Sequence, residues 1–310
     1  MKKLIFTAIL IATILAGGVI AYSIWRATPM TGQAYYESGK QYYDSGKFAE
    51  ATIQLLNAIR KEPKQRESRY LLALTYIAQR DLNNAAKQLQ ELLEYFPDDV
   101  EAQLQLGQIY LTGGASIPDL FREAQKSAES ILAKNPNHVG ALILSGNAAA
   151  GLQDYRSSVD LFEKALELDP NNTVAFVSLG TTEALQKHYP AAERAFLKAL
   201  EVNPRDKNAL ISLANYYRAI RNLEQAEATF KRAMTEYPAD RAIYAQLVTF
   251  YAQTKRYAEA EKMLREAQKI SPEDPSPSLV LADLLVSEER AAEARNLLLE
   301  LKDKYPENLE

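Results

Sequence analysis

Eight prolines recur along this 310-residue chain at an almost constant interval, and this spacing constrains the fold more than any other feature. The interval is 34 residues, except for one of 39 residues between the second and third prolines. The eight are Pro63, Pro97, Pro136, Pro170, Pro204, Pro238, Pro272 and Pro306. A fixed period of this length is typical of an array of repeated units. We therefore expect one elongated array rather than separate globular domains.

When proline is placed at position 32 of each unit, eight units account for residues 32–308, after a short linker at residues 27–31. The units are 32–65, 66–99, 100–138, 139–172, 173–206, 207–240, 241–274 and 275–308. Position 8 is glycine or alanine in every unit except the seventh, which has Val248. Position 20 is alanine or serine throughout, and position 24 is usually leucine or phenylalanine. Small residues at positions 8 and 20 predict that two elements of each unit approach closely.

Each unit carries two stretches with helical periodicity, at about positions 2–14 and 18–31. In the fifth unit, Ala192, Phe196 and Ala199 are spaced three and four apart, as on one face of a helix. The repeated proline cannot continue a helix and ends each pair. The five extra residues of the third unit lie near residues 111–118, where two glycines and a proline predict a longer loop between the helices.

Position 11 is tyrosine in five of the eight units. Together with the repeated small residue, alanine, large apolar residue and proline, this tyrosine resembles the signature of the tetratricopeptide repeat family. The resemblance covers about nine-tenths of the chain. It implies an all-α protein, a right-handed α-solenoid of about eight helix-turn-helix repeats that makes roughly one superhelical turn. In this family the first helices line a concave groove, chiefly through positions 2, 5, 9 and 12.

The groove positions of the middle repeats are nearly free of charge, with Arg218 as the exception at positions 5, 9 and 12. This favours a largely uncharged peptide or helix of a partner protein, held by aliphatic contacts and by side-chain amides. The alternative is that some of the apolar residues only pack between adjacent repeats. The candidate partner-binding residues are Leu104, Gln108, Leu111, Ile143, Asn147, Val177, Thr181, Ile211, Asn215 and Arg218.

Residues 4–25 contain no charged side chain, and as a helix they would span about 33 Å, close to the thickness of a bilayer core. Lys2 and Lys3 precede this segment, so the positive-inside rule keeps the N-terminus in the cytoplasm. We expect residues 1–26 to form a single transmembrane anchor of a bacterial inner membrane, with the repeats in the periplasm. The alternative is a signal sequence cleaved after Ala21, which would release the repeats.

The composition excludes several functional classes. The chain has no cysteine and two histidines, which excludes thiolate sites and a histidine-rich metal site. Its formal charge of −4 argues against general nucleic-acid binding, which requires clustered positive charge. No phosphate-binding loop, nucleophile elbow or zinc-protease motif occurs. We therefore expect no catalytic residue, no cofactor and no metal.

These observations predict a non-enzymatic scaffold for protein–protein interaction in envelope assembly, polysaccharide export or secretion. The alternatives are a cytoplasm-facing adaptor or chaperone of an inner-membrane complex, and the N-terminal repeat part of a longer protein. Leu297, Leu298, Leu299 and Leu301 crowd the last predicted helix. They predict self-association through residues 291–305, because a terminal repeat normally presents a polar outer face.

Overall fold

The computed structural model describes residues 30–305, and these residues form sixteen helices and no strand. The helices follow each other in pairs, joined by short turns. They are α1 Gly32–Asp44, α2 Phe48–Lys61, α3 Arg66–Ala78, α4 Leu82–Tyr95, α5 Val100–Gly114, α6 Asp119–Lys134, α7 Val139–Gly151, α8 Tyr155–Leu168, α9 Thr173–Leu185, α10 Tyr189–Val202, α11 Lys207–Ala219, α12 Leu223–Glu236, α13 Arg241–Gln253, α14 Tyr257–Ile270, α15 Ser276–Ser287 and α16 Ala291–Lys304. The prediction of an all-α array of helix pairs is confirmed for this part of the chain.

Most first helices begin one residue earlier than predicted, because the last residue of the preceding repeat caps them. Asn172 accepts a hydrogen bond from the backbone N–H of Ala175 at 2.9 Å. Asp206 accepts one from Ala209 at the same distance. Such caps satisfy backbone N–H groups that have no partner within the helix. The cap therefore belongs to the preceding repeat and fixes where the next one starts.

Small residues at position 8 bring the two helices of a repeat into close contact, as predicted. A Cβ atom built on Gly146 would lie 2.6 Å from a ring carbon of the fully buried Phe162. One built on Gly180 would lie 2.9 Å from the ring of Phe196. The large residue at position 24 thus fills the space that the missing side chain leaves.

The insertion in the third repeat is mostly helical, so the prediction of a longer loop is wrong. Helix α5 extends to Gly114, and α6 begins at Asp119. Compared with the 13- and 14-residue helices of the next repeat, α5 has 15 residues and α6 has 16. Four of the five extra residues therefore lie in helices. A Cβ atom on Gly114 would lie 2.5 Å from the Phe121 ring, so a larger side chain does not fit there without a shift of the ring.

The described part of the chain divides into two compact units, residues 30–113 and 114–305. In the first unit, the cores lie between paired helices around Leu55, Leu72 and Leu89. In the second unit, a smaller core surrounds Phe162 and a larger one runs from Phe196 through Phe230. Each core is continuous between neighbouring repeats, as expected when single helix pairs cannot bury their apolar faces alone.

The predicted membrane anchor at residues 4–25 lies outside the described residues. Among the helices of residues 30–305, none combines the length and the apolar character needed to cross a bilayer.

Candidate partner-binding face

The candidate residues of the second unit lie on α7, α9 and α11, the first helices of three successive repeats, and α13 is the first helix of the repeat that follows. We call the surface formed by positions 5, 9 and 12 of these helices the first-helix face. In the first unit, Leu104, Gln108 and Leu111 all lie on α5, where Gln108 is exposed and the two leucines are half-buried.

Hydrogen bonds between successive repeats hold the first helices of the second unit in place. The Tyr217 hydroxyl donates to Glu193 Oε1 at 2.6 Å, and the Tyr251 hydroxyl donates to Glu227 Oε1 at 3.0 Å. Burial, together with the neighbouring Glu193 carboxylate, raises the pKa of Tyr217 above its usual range. These hydroxyls therefore remain protonated donors at neutral pH.

A second set of contacts joins the start of one first helix to the cap of the next. The Thr173 hydroxyl donates to Asp206 Oδ2 at 2.8 Å, and Lys207 Nζ donates to Asp240 Oδ2 at the same distance. Lys207 and backbone N–H groups lower the pKa of Asp240, despite its partial burial. Because both sets of contacts join neighbouring repeats, they fix the spacing between successive first helices of the second unit.

The predicted residues of the second unit differ in how far they reach solvent. Ile143 is 9% exposed and belongs to the core with Phe162, so it packs inside the repeat. Val177 and Ile211 are half-buried against the larger core. Thr181 is exposed, and its hydroxyl donates to the Val177 carbonyl at 2.9 Å. Its lone pairs remain available to accept a hydrogen bond.

Asn215 carries an unsatisfied polar atom on this face. Its side-chain oxygen is enclosed and has no hydrogen-bond partner within the described part of the chain. Asn147 occupies the same repeat position two repeats earlier and is also half-buried. Each side-chain amide also carries two N–H donors, which can pair with the backbone carbonyls of a bound segment.

Arg218 is the one cation at the predicted groove positions of the second unit, and its partner is neutral. Its Nη1 donates to the side-chain oxygen of Gln253 on α13 at 3.1 Å. The structure pairs it with no carboxylate among residues 30–305. A guanidinium has five N–H donors, so most of its donors remain for a ligand. Its positive charge is therefore not part of an ion pair within the described residues.

An apolar cleft of about 240 Å³ opens between α13 and α15. Tyr244, Ala245, Val248, Thr249, Leu264 and Val280 contribute to its walls. The sequence alone did not predict this cleft. The one available signal was Val248, the only branched residue at position 8 of the eight units. Leu264 also stands where the three preceding repeats bury Phe162, Phe196 and Phe230.

The leucines of α16 are only partly available for self-association. Leu301 is 5% exposed, and Leu297 packs against the larger core. Leu298 and Leu299 are 42% and 52% exposed. A self-association surface on this helix would therefore involve Leu298 and Leu299, and not Leu301 as the sequence suggested.

The described residues contain no group of three or more histidine, aspartate or glutamate side chains placed to hold a metal ion. The His138 ring accepts a hydrogen bond from the Ala141 N–H at 3.1 Å and caps α7. His188 lies 2.7 Å from the Glu183 carboxylate, in the turn before α10. Both histidines thus have structural partners.

Two models of the tetratricopeptide repeat match the sequence over most of its length. One matches residues 36–86, 70–116, 119–173 and 179–241, and the other matches residues 218–276 and 251–310. Among proteins of curated function, none has a significant sequence match to the chain.

Several solved structures share the fold at low sequence identity. A tetratricopeptide repeat protein from Parabacteroides merdae is 20% identical, with a TM-score of 0.63 over 82% of this chain and 98% of its own. PilW, described as a widely conserved type IV pilus biogenesis factor, is 18% identical, with a TM-score of 0.55 over 67% of this chain and 94% of its own. Pseudomonas aeruginosa pilF is 14% identical, with a TM-score of 0.50 over 72% of this chain and 97% of its own.

Proposed function

We propose that this chain, which belongs to the tetratricopeptide repeat family, is a non-enzymatic scaffold. Its first-helix face binds a segment of a partner protein. The observation that carries the proposal is the chemistry of this face, where half-buried aliphatic side chains alternate with Asn147, Thr181 and Asn215. Aliphatic side chains can bury apolar surface of the ligand, and amide and hydroxyl groups can form hydrogen bonds with a peptide backbone of any sequence. The proposed ligand is a largely uncharged peptide or helix.

The proposal is tested on the two asparagines. The partner is first identified by crosslinking in the native cell, and its affinity is then measured by calorimetry. Asn147→Ala and Asn215→Ala should each weaken binding by about 1–2 kcal/mol, roughly 5- to 30-fold, because each removes an amide paired in the complex. Asn171→Ala is the matched control, since Asn171 lies exposed in an inter-repeat turn.

The melting temperatures of the variants should change little, and the affinity should depend only slightly on salt, because few charges take part. Unchanged affinity in both asparagine variants would contradict the proposal. A steep loss of affinity with salt would instead assign the contact to the acidic outer surface of the repeats.

We further propose that residues 4–25 anchor the chain in a bacterial inner membrane and that the repeats face the periplasm. The support is the uncharged length of this segment and the lysines that precede it. Release after signal cleavage, and a cytoplasm-facing adaptor, are the alternatives. The partner would then belong to envelope assembly, polysaccharide export or secretion.

The location is tested with spheroplasts. Added protease should degrade the repeats, and the intact chain should fractionate with membranes. Lysine at both Ile11 and Leu15 should abolish insertion, because each charge costs about 3 kcal/mol at the centre of a bilayer. Repeats that resist the protease until the cells are lysed would indicate the cytoplasmic alternative.

A further inference from the structure

Arg218 and the apolar cleft between α13 and α15 both contact α13. Arg218 reaches α13 at Gln253, and the cleft reaches it at Ala245 and Thr249. Thr249 and Gln253 are four residues apart, so they lie on one face of the helix, about 6 Å apart along its axis. The contact of Arg218 with α13 and the nearest wall of the cleft therefore stand about one helical turn apart along this helix.

We infer that this pair of features recognises a partner segment carrying one apolar and one acidic side chain at matching distance. The inference rests on the proposed function and specifies the ligand of the same face. An acidic side chain complements the charge of Arg218, whose partner in the structure is the neutral Gln253. A bidentate contact between guanidinium and carboxylate is among the stronger hydrogen-bonded pairs in proteins.

The cleft sets the size of the apolar side chain. Its volume of about 240 Å³ exceeds that of an engineered cavity of about 150 Å³ that binds benzene. An aromatic ring or a large aliphatic side chain therefore fits. Val280, at the rim of the cleft, is 45% exposed. A bound side chain would cover this apolar surface.

The distance sets the spacing of the two residues in the ligand. An extended chain advances about 3.3 Å per residue and presents every second side chain on one face. The acidic residue therefore stands at least two positions from the apolar residue in an extended segment, or at least four positions away in a helical one. The remaining residues of the segment are expected to be uncharged, because the other side chains of the first-helix face carry no charge.

The test uses the full chain in lipid nanodiscs as the target for a phage-displayed library of random dodecapeptides. Peptides selected by the wild-type chain should be enriched in the apolar–acidic pair at these spacings. Arg218→Glu should weaken the selected peptides at least tenfold, and peptides newly selected on this variant should carry lysine or arginine instead. Arg218→Gln should lose the acidic preference while leaving the helical circular dichroism unchanged.

Two matched controls separate the site from general effects. Arg221→Glu makes the same change of charge three residues away, on an exposed turn residue, and should alter affinity less than twofold. Ala245→Phe should fill the cleft and abolish the apolar preference. Ala258→Phe, on the exposed side of α14, should not.

Selected peptides whose binding is insensitive to Arg218→Glu and Ala245→Phe would overturn the inference and leave the proposed function standing. A wild-type chain that selects no peptide above an empty-nanodisc background would contradict both. Selection of apolar peptides without an acidic residue would overturn the role of Arg218.

Discussion

Position 15 of the repeat carries local backbone strain at residues that are not glycine. Six of these residues adopt positive φ angles of 59–64°, and Gly46 is the one glycine among the described positive-φ positions. Residues with a Cβ atom pay about 1–2 kcal/mol in this conformation. The turn between paired helices keeps it nonetheless, because the following N–H bonds back to the first helix, as His188 does to the Glu183 carbonyl at 2.9 Å.

We expect Lys187→Gly to stabilise the chain by up to about 1 kcal/mol, because it relieves this strain while adding freedom to the unfolded chain. Gln186→Gly is the matched control. Gln186 has φ of −77°, so glycine there should destabilise the chain by about 0.5–1 kcal/mol. Urea unfolding measures both changes. Equal effects at the two positions would contradict the assignment of strain to position 15.

Glu227 shows how one carboxylate joins two repeats. Arg256 and Lys231 lower its pKa from 4.5 to about 2, and Tyr251 also donates to it. Because the pKa is lower in the folded state, the stabilisation is complete above about pH 4.5 and is lost as the pH falls towards 2. Allowing for solvent screening, we expect about 1–2 kcal/mol of unfolding free energy to depend on this proton.

Glu227→Gln should therefore lower stability at neutral pH and flatten its pH dependence between about pH 2 and 4.5. Glu224→Gln, at an exposed residue of the same helix, should keep the wild-type slope. Chemical unfolding at a series of pH values compares the variants. A Glu227→Gln curve parallel to that of the wild type would show that this carboxylate does not contribute through ionisation.

At the scale of the helix, caps and inter-repeat contacts often share one side chain. Asp206 accepts from Ala209 N at 2.9 Å to cap α11, and from Thr173 Oγ1 at 2.8 Å to join the preceding first helix. Asp154 caps α8 by accepting from Ser157 N at 3.2 Å. The first aspartate therefore fixes both a helix start and the distance between two first helices.

Asp206→Ala should cost about 2 kcal/mol and Asp154→Ala about 1 kcal/mol, because the first removes two contacts and the second mainly removes a cap. Thr173→Val in the Asp206→Ala background should add little, since the hydroxyl has already lost its acceptor. Thermal and urea unfolding measure these differences. An additive effect of the two changes would show that the hydroxyl and the carboxylate act separately.

Sequence reasoning predicted the elements well where their causes are local. The prolines at position 32 and the small residues at position 8 act within one repeat, so the pairing of Gly146 with Phe162 follows from their positions alone. The insertion was misassigned because α5 and α6 each lengthen by two residues and absorb most of it. Glycine lowers helix propensity but does not prevent a helix whose packing, as at Gly114 against Phe121, favours it.

The candidate site was less predictable, because burial depends on neighbours that the repeat pattern does not specify. Ile143 and Val177 share position 5, yet Ile143 is part of a core whereas Val177 remains half-buried. The cleft at Val248 is also lined by Leu264 of α14 and Val280 of the following repeat, which the position of Val248 alone does not specify. The hydrogen bond between Arg218 and Gln253 likewise could not be predicted, because it depends on how α11 and α13 lie beside each other.

At the scale of the molecule, the family, the repeat array and the nearly uncharged first-helix face support a scaffold that holds a segment of another protein. The central claim is that the partner contacts the first helices of the second unit rather than the outer, second helices. Thr181 and Thr249 are exposed on the first-helix face, and Leu197 and Ala258 are exposed on second helices of the same repeats. These residues form two matched pairs for one experiment.

The most direct measurement is photocrosslinking in the native cell, with a photoreactive amino acid placed at each of these four positions of the full chain. We predict a discrete adduct of one partner from Thr181 and from Thr249, and none from Leu197 or Ala258. Adducts that form only from Leu197 and Ala258, or none at any of the four positions, would contradict the account.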